Sequence, residues 1–324
     1  MLAAIAAFVI ALIVLNSVLN RGGRMRPSES GTESSGETES LKIAFDAEFM
    51  GRPEYERLQQ VYDLQFAEEP MQMDPGLMYK AAADGAVDVI DGFATDGRIG
   101  AYDLKILEDD KHCFPPYYAA PLIRGEVIEA HPEVKAVLER LGGRIPAAKM
   151  QEMNYAVDEN ERKPYDVARE FLEAEGLLSN DTGASGEGAG SASVISIGGK
   201  NFTEQELLGE ILAIMIEENT DLKVKRNLGL GGTMICFKGI EGGDLDVYAE
   251  YTGTGLVNIL KKEVITDPDE AYRVVKDEFS EEYGLEWLEP FGFNNTYTLT
   301  MRREQAQELG IETISDLAEY IKTH

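Results

Sequence analysis

The stretch Ser196–Leu260 reads SIGGKNFTEQELLGEILAIMIEENTDLKVKRNLGLGGTMICFKGIEGGDLDVYAEYTGTGLVNIL, and it decides the fold class. It opens out of a short β-rich run, SVISIG (Ser193 to Gly198), and holds a second, LKVKRNL (Leu222 to Leu228). A third follows the Gly turn of GGDLDVYAEYTG (Gly242 to Gly253). Short strands alternating with amphipathic helices signal an α/β architecture. The same alternation appears outside this stretch, in the strand LKIAFD (Leu41 to Asp46) and a helix around Val134 to Leu141. The final segment ISDLAEYIK (Ile314 to Lys322) reads as a helix with Ser315 as N-cap, and Asp316 and Glu319 suit its dipole.

An internal repetition organises these elements. DGAVDVIDGFAT (Asp84 to Thr95) aligns with GGDLDVYAEYTG, so Asp88 corresponds to Asp246 and the aromatic Phe93 to Tyr251. A second pair, GFNNTYTL (Gly292 to Leu299) and CFPPYYAA (Cys113 to Ala120), sets Tyr297 beside Tyr117. Two lobes joined by two crossovers would deliver both pairs to one interlobe cleft.

The bulk properties exclude several classes. The chain has 324 residues, which suits two lobes, and 59 acidic against 30 basic residues, which argues against a nucleic-acid partner. That acidic excess reads as a solvated surface. Cys113 and Cys236 sit in apolar or aromatic settings and read as buried free thiols. The three histidines lack metal-ligand spacing, and no nucleophile elbow or phosphate loop is present, so no enzyme, metal or cofactor is expected. Two runs, 27–40 (PSESGTESSGETES) and Ser179 to Ser193 (SNDTGASGEGAGSAS), read as flexible tethers. Leu2 to Leu19 (LAAIAAFVIALIVLNSVL) is long and apolar enough to cross a bilayer and reads as an uncleaved anchor, or as the last span of a permease.

The motifs GKNFTEQ (Gly199 to Gln205), GLGGT (Gly229 to Thr233), EYTGTG (Glu250 to Gly255) and GFNNTYTL are joined by MDPGLMY (Met73 to Tyr79), TDGRI (Thr95 to Ile99) and LEDDKHCFPPYYAAPL (Leu107 to Leu122). Together they resemble the substrate-binding proteins of ABC importers for quaternary-ammonium osmoprotectants such as glycine betaine, choline, carnitine and proline betaine. The order is swapped relative to that family, so the chain looks circularly permuted, or else its halves pair in a tandem or swapped arrangement. The resemblance implies a two-lobed fold of the periplasmic-binding type (type II) with two interlobe crossovers. The expected division is a transmembrane anchor at 1–20, a tether at 21–40, and lobe II from 41–116 and 299–324. Lobe I is expected from 117–178 and 194–298, with a linker at 179–193.

The resemblance also implies the site. A trimethylammonium group bears a full charge but has no N–H to donate, so aromatic faces address it better than hydrogen-bond acceptors do. Carried over by motif, the cage residues are Tyr251, Tyr297, Tyr117 and Phe93, and the carboxylate of a betaine falls to Arg52, Lys200 and Thr254. Arg52 offers a bidentate fork and Lys200 a point charge. The implied partners are a small quaternary-ammonium ligand, an ABC permease and its ATPase, with the binding part outside the membrane. Arg21, Arg24 and Arg26 follow the apolar segment and favour the opposite sidedness by the positive-inside rule. An osmolyte receptor and a transferase sharing the bilobal fold are the alternatives. Met71, Met73 and Met78 read as core packing, and Asp96-Gly97-Arg98 as a turn with a structural salt bridge.

Overall fold

Among the described residues ten strands form, most of them in runs that hold β-branched or aromatic residues. They are β1 (Ile43–Phe45), β2 (Met71–Gln72), β3 (Val89–Phe93), β4 (Leu104–Ile106), β5 (Ala119–Arg124), β6 (Val194–Gly198), β7 (Lys223–Asn227), β8 (Val247–Tyr251), β9 (Leu285–Trp287) and β10 (Tyr297–Arg302). The structure is a computed structural model that describes residues 40–66, 68–178 and 193–324. The expected anchor, the tether up to residue 39 and the linker at 179–192 lie outside the described residues. Among the described residues, no helix is long and apolar enough to cross a membrane.

The strands form two five-stranded sheets with matching order, β2-β1-β3-β10-β4 in lobe II and β7-β6-β8-β5-β9 in lobe I. In each, the first strand pairs in parallel with the next two, and an antiparallel strand from across the chain completes the sheet. Thus β10 runs antiparallel to β3 and β4, and β5 antiparallel to β8 and β9. The chain therefore passes between the lobes twice, once between β4 and β5 and again between β9 and β10. Pairing of β10 with β3 begins at Tyr297, opposite Phe93.

The repetition read from sequence has a structural counterpart. Asp88 accepts from the backbone N–H of Lys42 at 2.9 Å, and Asp246 accepts from that of Ser196 at 2.8 Å. Each thereby ties its own strand turn to the first strand of its sheet. Each also meets an arginine of the antiparallel strand, Arg302 at 2.6 Å for Asp88 and Arg124 at 3.4 Å for Asp246. The second pair is offset from the sequence alignment. Phe93 faces Tyr297 across lobe II, whereas Tyr251 faces Ala119 across lobe I, so Tyr117 lies two residues before the strand position matching Tyr297.

Both faces of each sheet are packed. In lobe I, Val247 and Ala249 point to the helix Thr203–Asn219, while Tyr248 points to the opposite core with Phe237, Phe279 and Trp287. The helix Thr203–Asn219 is buried on most of its circumference because the helices Pro132–Leu138, Ala147–Asp158 and Pro164–Ala174 cover what the sheet does not. This is why its apolar residues are spread around it instead of forming one stripe. The C-terminal helix Ile314–Thr323 joins the lobe II core through Ile314, Leu317 and Ala318. Its cap is Thr313, not Ser315: the Thr313 side chain accepts from Asp316 N–H and Asp316 returns the bond, a capping box that only this register closes. Ser315 instead bonds Asp110. The helix near Val134 ends at Leu138 and continues as a tight turn, Glu139–Leu141. Met78 is buried, but Met71 is 46% exposed on the two-residue edge strand β2, so it is not core. Cys113 and Cys236 are buried free thiols.

Candidate functional site

Between the sheets lies a cleft of about 870 Å³, and all seven residues singled out from the sequence line it: Phe93, Tyr117, Tyr251, Tyr297, Arg52, Lys200 and Thr254. They reach it from strand ends and helix starts, where side chains leave the sheets. Phe93 and Tyr251 end β3 and β8, and Tyr297 opens β10. Arg52 caps the helix Pro53–Tyr62, and Thr254 starts the π-helical turn Thr254–Ile259, a distortion often found at functional sites.

Tyr297 is the hub of the rings. Its centroid is 5.0 Å from Phe93, 5.0 Å from Phe49 and 6.0 Å from Tyr117, the last edge-on at 86°. Arg52 approaches its ring with Cζ 5.7 Å from the centroid. Tyr251 stacks with Phe202 at 6.4 Å. Phe93 and Phe202, each 42% exposed, stand at the mouth, and the three tyrosines are buried. Gly253 in EYTGTG is required by this packing, because a Cβ there would lie 2.8 Å from the Tyr117 ring.

Lys200 lines the cleft and is also paired within lobe I. Its Nζ lies 2.6 Å from Glu250 Oε1, the lysine side chain is 6% exposed and that of Glu250 is fully buried. The ammonium also sits 5.0 Å from the Tyr251 ring centroid. Its charge is thus balanced by Glu250 inside lobe I, and Arg52 and Thr254 line the same cleft. Asp96 caps the helix Gly97–Ala101 and pairs with Arg98 at 2.6 Å, a structural role.

Several groups in and behind the cleft had no local signal in the sequence. Glu204, in the first turn of Thr203–Asn219, is buried and accepts four hydrogen bonds: from Tyr251 Oη at 2.7 Å and Asn295 Nδ2 at 3.0 Å on one oxygen, and from Thr95 Oγ1 at 2.5 Å and Asn154 Nδ2 at 3.1 Å on the other. Burial raises its pKa, and the four donors oppose that rise. Thr95 belongs to lobe II, so this carboxylate also joins the lobes. Glu54 is buried behind Tyr117 and accepts its hydroxyl at 2.7 Å. Asp91, two residues before Phe93 on the same strand face, is buried and accepts from Asp46 N–H at 2.7 Å. Burial, reinforced by the Asp46 charge, pushes its carboxyl up to about 7. Glu204 lies inside GKNFTEQ, so the motif held it, but its spacing did not mark it as buried.

Two sheets of one strand order, facing each other across a ring-lined cleft, define a bilobal α/β protein built around an interlobe site. The chain belongs to the family described as the substrate binding domain of the ABC-type glycine betaine transport system, whose pattern matches residues 30–174 and 193–324. Among curated relatives it is similar to the carnitine transport binding protein OpuCC of Listeria monocytogenes, 42% identical over 37% of this chain and 38% of that one. It is 39% identical to the glycine-betaine-binding protein of Pseudomonas aeruginosa, over 45% of this chain and 47% of that one. It is 42% identical to the ergothioneine transport permease/ergothioneine binding protein EgtU of Helicobacter pylori, over 37% of this chain and 21% of that one. Each match spans less than half the length of the relative.

Proposed function

We propose that the chain is the extracytoplasmic substrate-binding component of an ABC importer for quaternary-ammonium osmoprotectants and closes by a hinge around its ligand. The observation that carries this reading is the convergence of Phe93, Tyr117, Tyr251 and Tyr297, from both lobes, on one cleft. Each ring facing a desolvated cation contributes about 0.5–2 kcal/mol, so four favour a bulky cation over a neutral molecule. Arg52 and Thr254 are positioned to meet the carboxylate of a betaine, and Asp91 adds negative charge on the Phe93 side. The two crossovers act as the hinge. An ABC permease and its ATPase are the implied partners, and the apolar segment Leu2 to Leu19 serves as a membrane anchor or as the last span of a permease. The relative EgtU, named as a permease and binding protein in one, supports the second arrangement for this segment.

Calorimetric titration of the full chain with glycine betaine, choline and carnitine tests the reading. Saturable binding of at least one is expected, without turnover. A bound cation favours the Asp91 carboxylate, whose value near 7 is raised in the empty site. Binding should therefore release protons around neutral pH and tighten as pH rises through 7. Titrations in buffers of different ionisation enthalpy measure that release. No binding of any methylated amine would refute the function, and binding with no proton release would remove Asp91 from the site.

We infer further that the folded part is a circular permutation of its family's order, with the family's ends at the run 179–193. The motif order supports this, as does the family match in two blocks on either side of that run. Cleavage at a protease site engineered within 179–192 should leave the fragments associated and ligand-competent. The first fragment supplies β5 to the second, and the second supplies β10 to the first. On gel filtration, an uncut chain that elutes as a dimer and falls to monomer size on cutting would favour pairing between chains, and fragments that separate would refute both arrangements.

A further inference from the structure

Two tyrosines of the cleft are held in the same way. Tyr117 Oη donates to Glu54 at 2.7 Å, and Tyr251 Oη donates to Glu204 at 2.7 Å. The two glutamates occupy equivalent places. Each is the second residue of the helix that leads out of the first strand region of its sheet, Pro53–Tyr62 after β1 and Thr203–Asn219 after β6. Glu54 is 2% exposed and Glu204 is 3% exposed. Neutral donors meet both carboxylates, Tyr117 at Glu54 and Tyr251, Asn295, Thr95 and Asn154 at Glu204, and each glutamate lies in the first turn of its helix.

Resting on the function proposed above, we propose that Glu54 and Glu204 are specificity-determining residues that stand behind the aromatic cage and make it select for positive charge. A phenol that donates to a carboxylate gains electron density, so the face of its ring becomes a better partner for a cation. The carboxylates also add formal negative charge within a poorly screened interior, where a cation lacking N–H groups can sense charge without a hydrogen bond. The rings alone already favour a cation over an uncharged group of the same shape, and the charges behind them widen that preference. Both phenols stay protonated and able to donate, because burial raises Tyr117 and Tyr251, and the adjacent glutamates add to the rise. The four hydrogen bonds at Glu204 favour its ionised form and oppose the rise that burial imposes.

Glu54→Gln and Glu204→Gln preserve side-chain size and an acceptor oxygen while removing the charge. The full chain and both variants are titrated with glycine betaine and choline. They are also titrated with the carbon isosteres 3,3-dimethylbutanoate and 3,3-dimethylbutan-1-ol, in which carbon replaces the charged nitrogen. Each substitution is expected to weaken the onium ligand about tenfold and to change its isostere by no more than about twofold. Tyr117→Phe, which keeps the buried charge but breaks the hydroxyl bond, should give a smaller loss with the same selectivity. Equal losses for onium and isostere would assign the glutamates to positioning alone and overturn the proposal. Unchanged affinities in both glutamine variants would overturn it too, as would a wild-type chain that binds the isostere as tightly as the onium. A wild-type chain that binds none of the four refutes the functional reading itself, and the proposal with it.

Discussion

Lys200→Met is expected to destabilise the protein strongly, by roughly 3–5 kcal/mol, whether or not ligand is present. The substitution removes the cation from Glu250, whose side chain is fully buried and retains only Tyr248 Oη at 3.0 Å and the Tyr251 N–H at 2.7 Å. A buried carboxylate without its cation costs far more than an exposed pair yields, because the desolvation has already been incurred. The urea midpoint of the full chain should fall accordingly, and adding Glu250→Gln should recover most of the loss by removing the orphaned charge. The sequence expectation gave Lys200 to the ligand's carboxylate instead. A variant with unchanged stability that loses glycine betaine but keeps choline would restore that earlier role.

Gly97→Ala should weaken ligand binding by about ten- to a hundredfold, while the lobes themselves stay folded. A Cβ at residue 97 would lie 2.5 Å from Tyr155 Cβ, 2.6 Å from Gln151 O and 2.6 Å from Tyr155 N. Two of those atoms are backbone and cannot swing aside. Gly97 opens a lobe II helix and Tyr155 lies on the lobe I helix Ala147–Asp158, so the clash falls between lobes. The neighbouring bonds Gln151 Nε2 to Ala94 O at 2.7 Å and Asn154 Nδ2 to Thr95 O at 2.9 Å would be stretched with it. Overpacking of this kind costs about 1–3 kcal/mol, and parting the lobes relieves it at the expense of the closed cleft. Dissociation constants and small-angle scattering with and without ligand would detect the shift. An unchanged affinity would mean that this contact does not limit closure.

What the sequence made legible was whatever is written locally. Strands such as SVISIG and LKVKRNL were readable from β-branched residues between turns, and the four rings from motifs that keep their spacing. The Asp88 and Asp246 repeat was readable because each acts within a few residues of a Gly turn. Pairings between distant segments were not. A glutamate in the first turn of a helix is ordinary dipole chemistry, so nothing near Glu54 or Glu204 announced that a tyrosine from elsewhere would bury it. Lys200 lies just past the end of β6 and Glu250 near the end of β8, and only the adjacency of those strands in the sheet makes them a pair. The offset between Tyr117 and Tyr297 has the same origin: both follow a Phe and a turn-like pair, but strand register is set across the sheet and not along the chain.

The exchange of β5 and β10 between the lobes has a consequence for synthesis on the ribosome. In this chain order β5 is made before the strands it joins, and every strand of lobe I from β5 to β9 emerges as one contiguous block. Lobe II differs: β1 to β4 emerge first, but β3 and β4 meet only through β10, close to the end. At about 5–20 residues per second, the intervening stretch takes roughly 10–40 s to translate. Throughout that interval β3 presents an unpaired edge, the kind of surface on which strands of other chains can add. In the unpermuted order that the proposal assigns to the family, the block from β10 to β4 would be contiguous, and lobe I would wait for β5 instead. Under the permutation proposed above, the rearranged order would leave the folded architecture alone and invert which half of the cleft matures last, placing the need for chaperone protection on the lobe that contributes Phe93 and Tyr297.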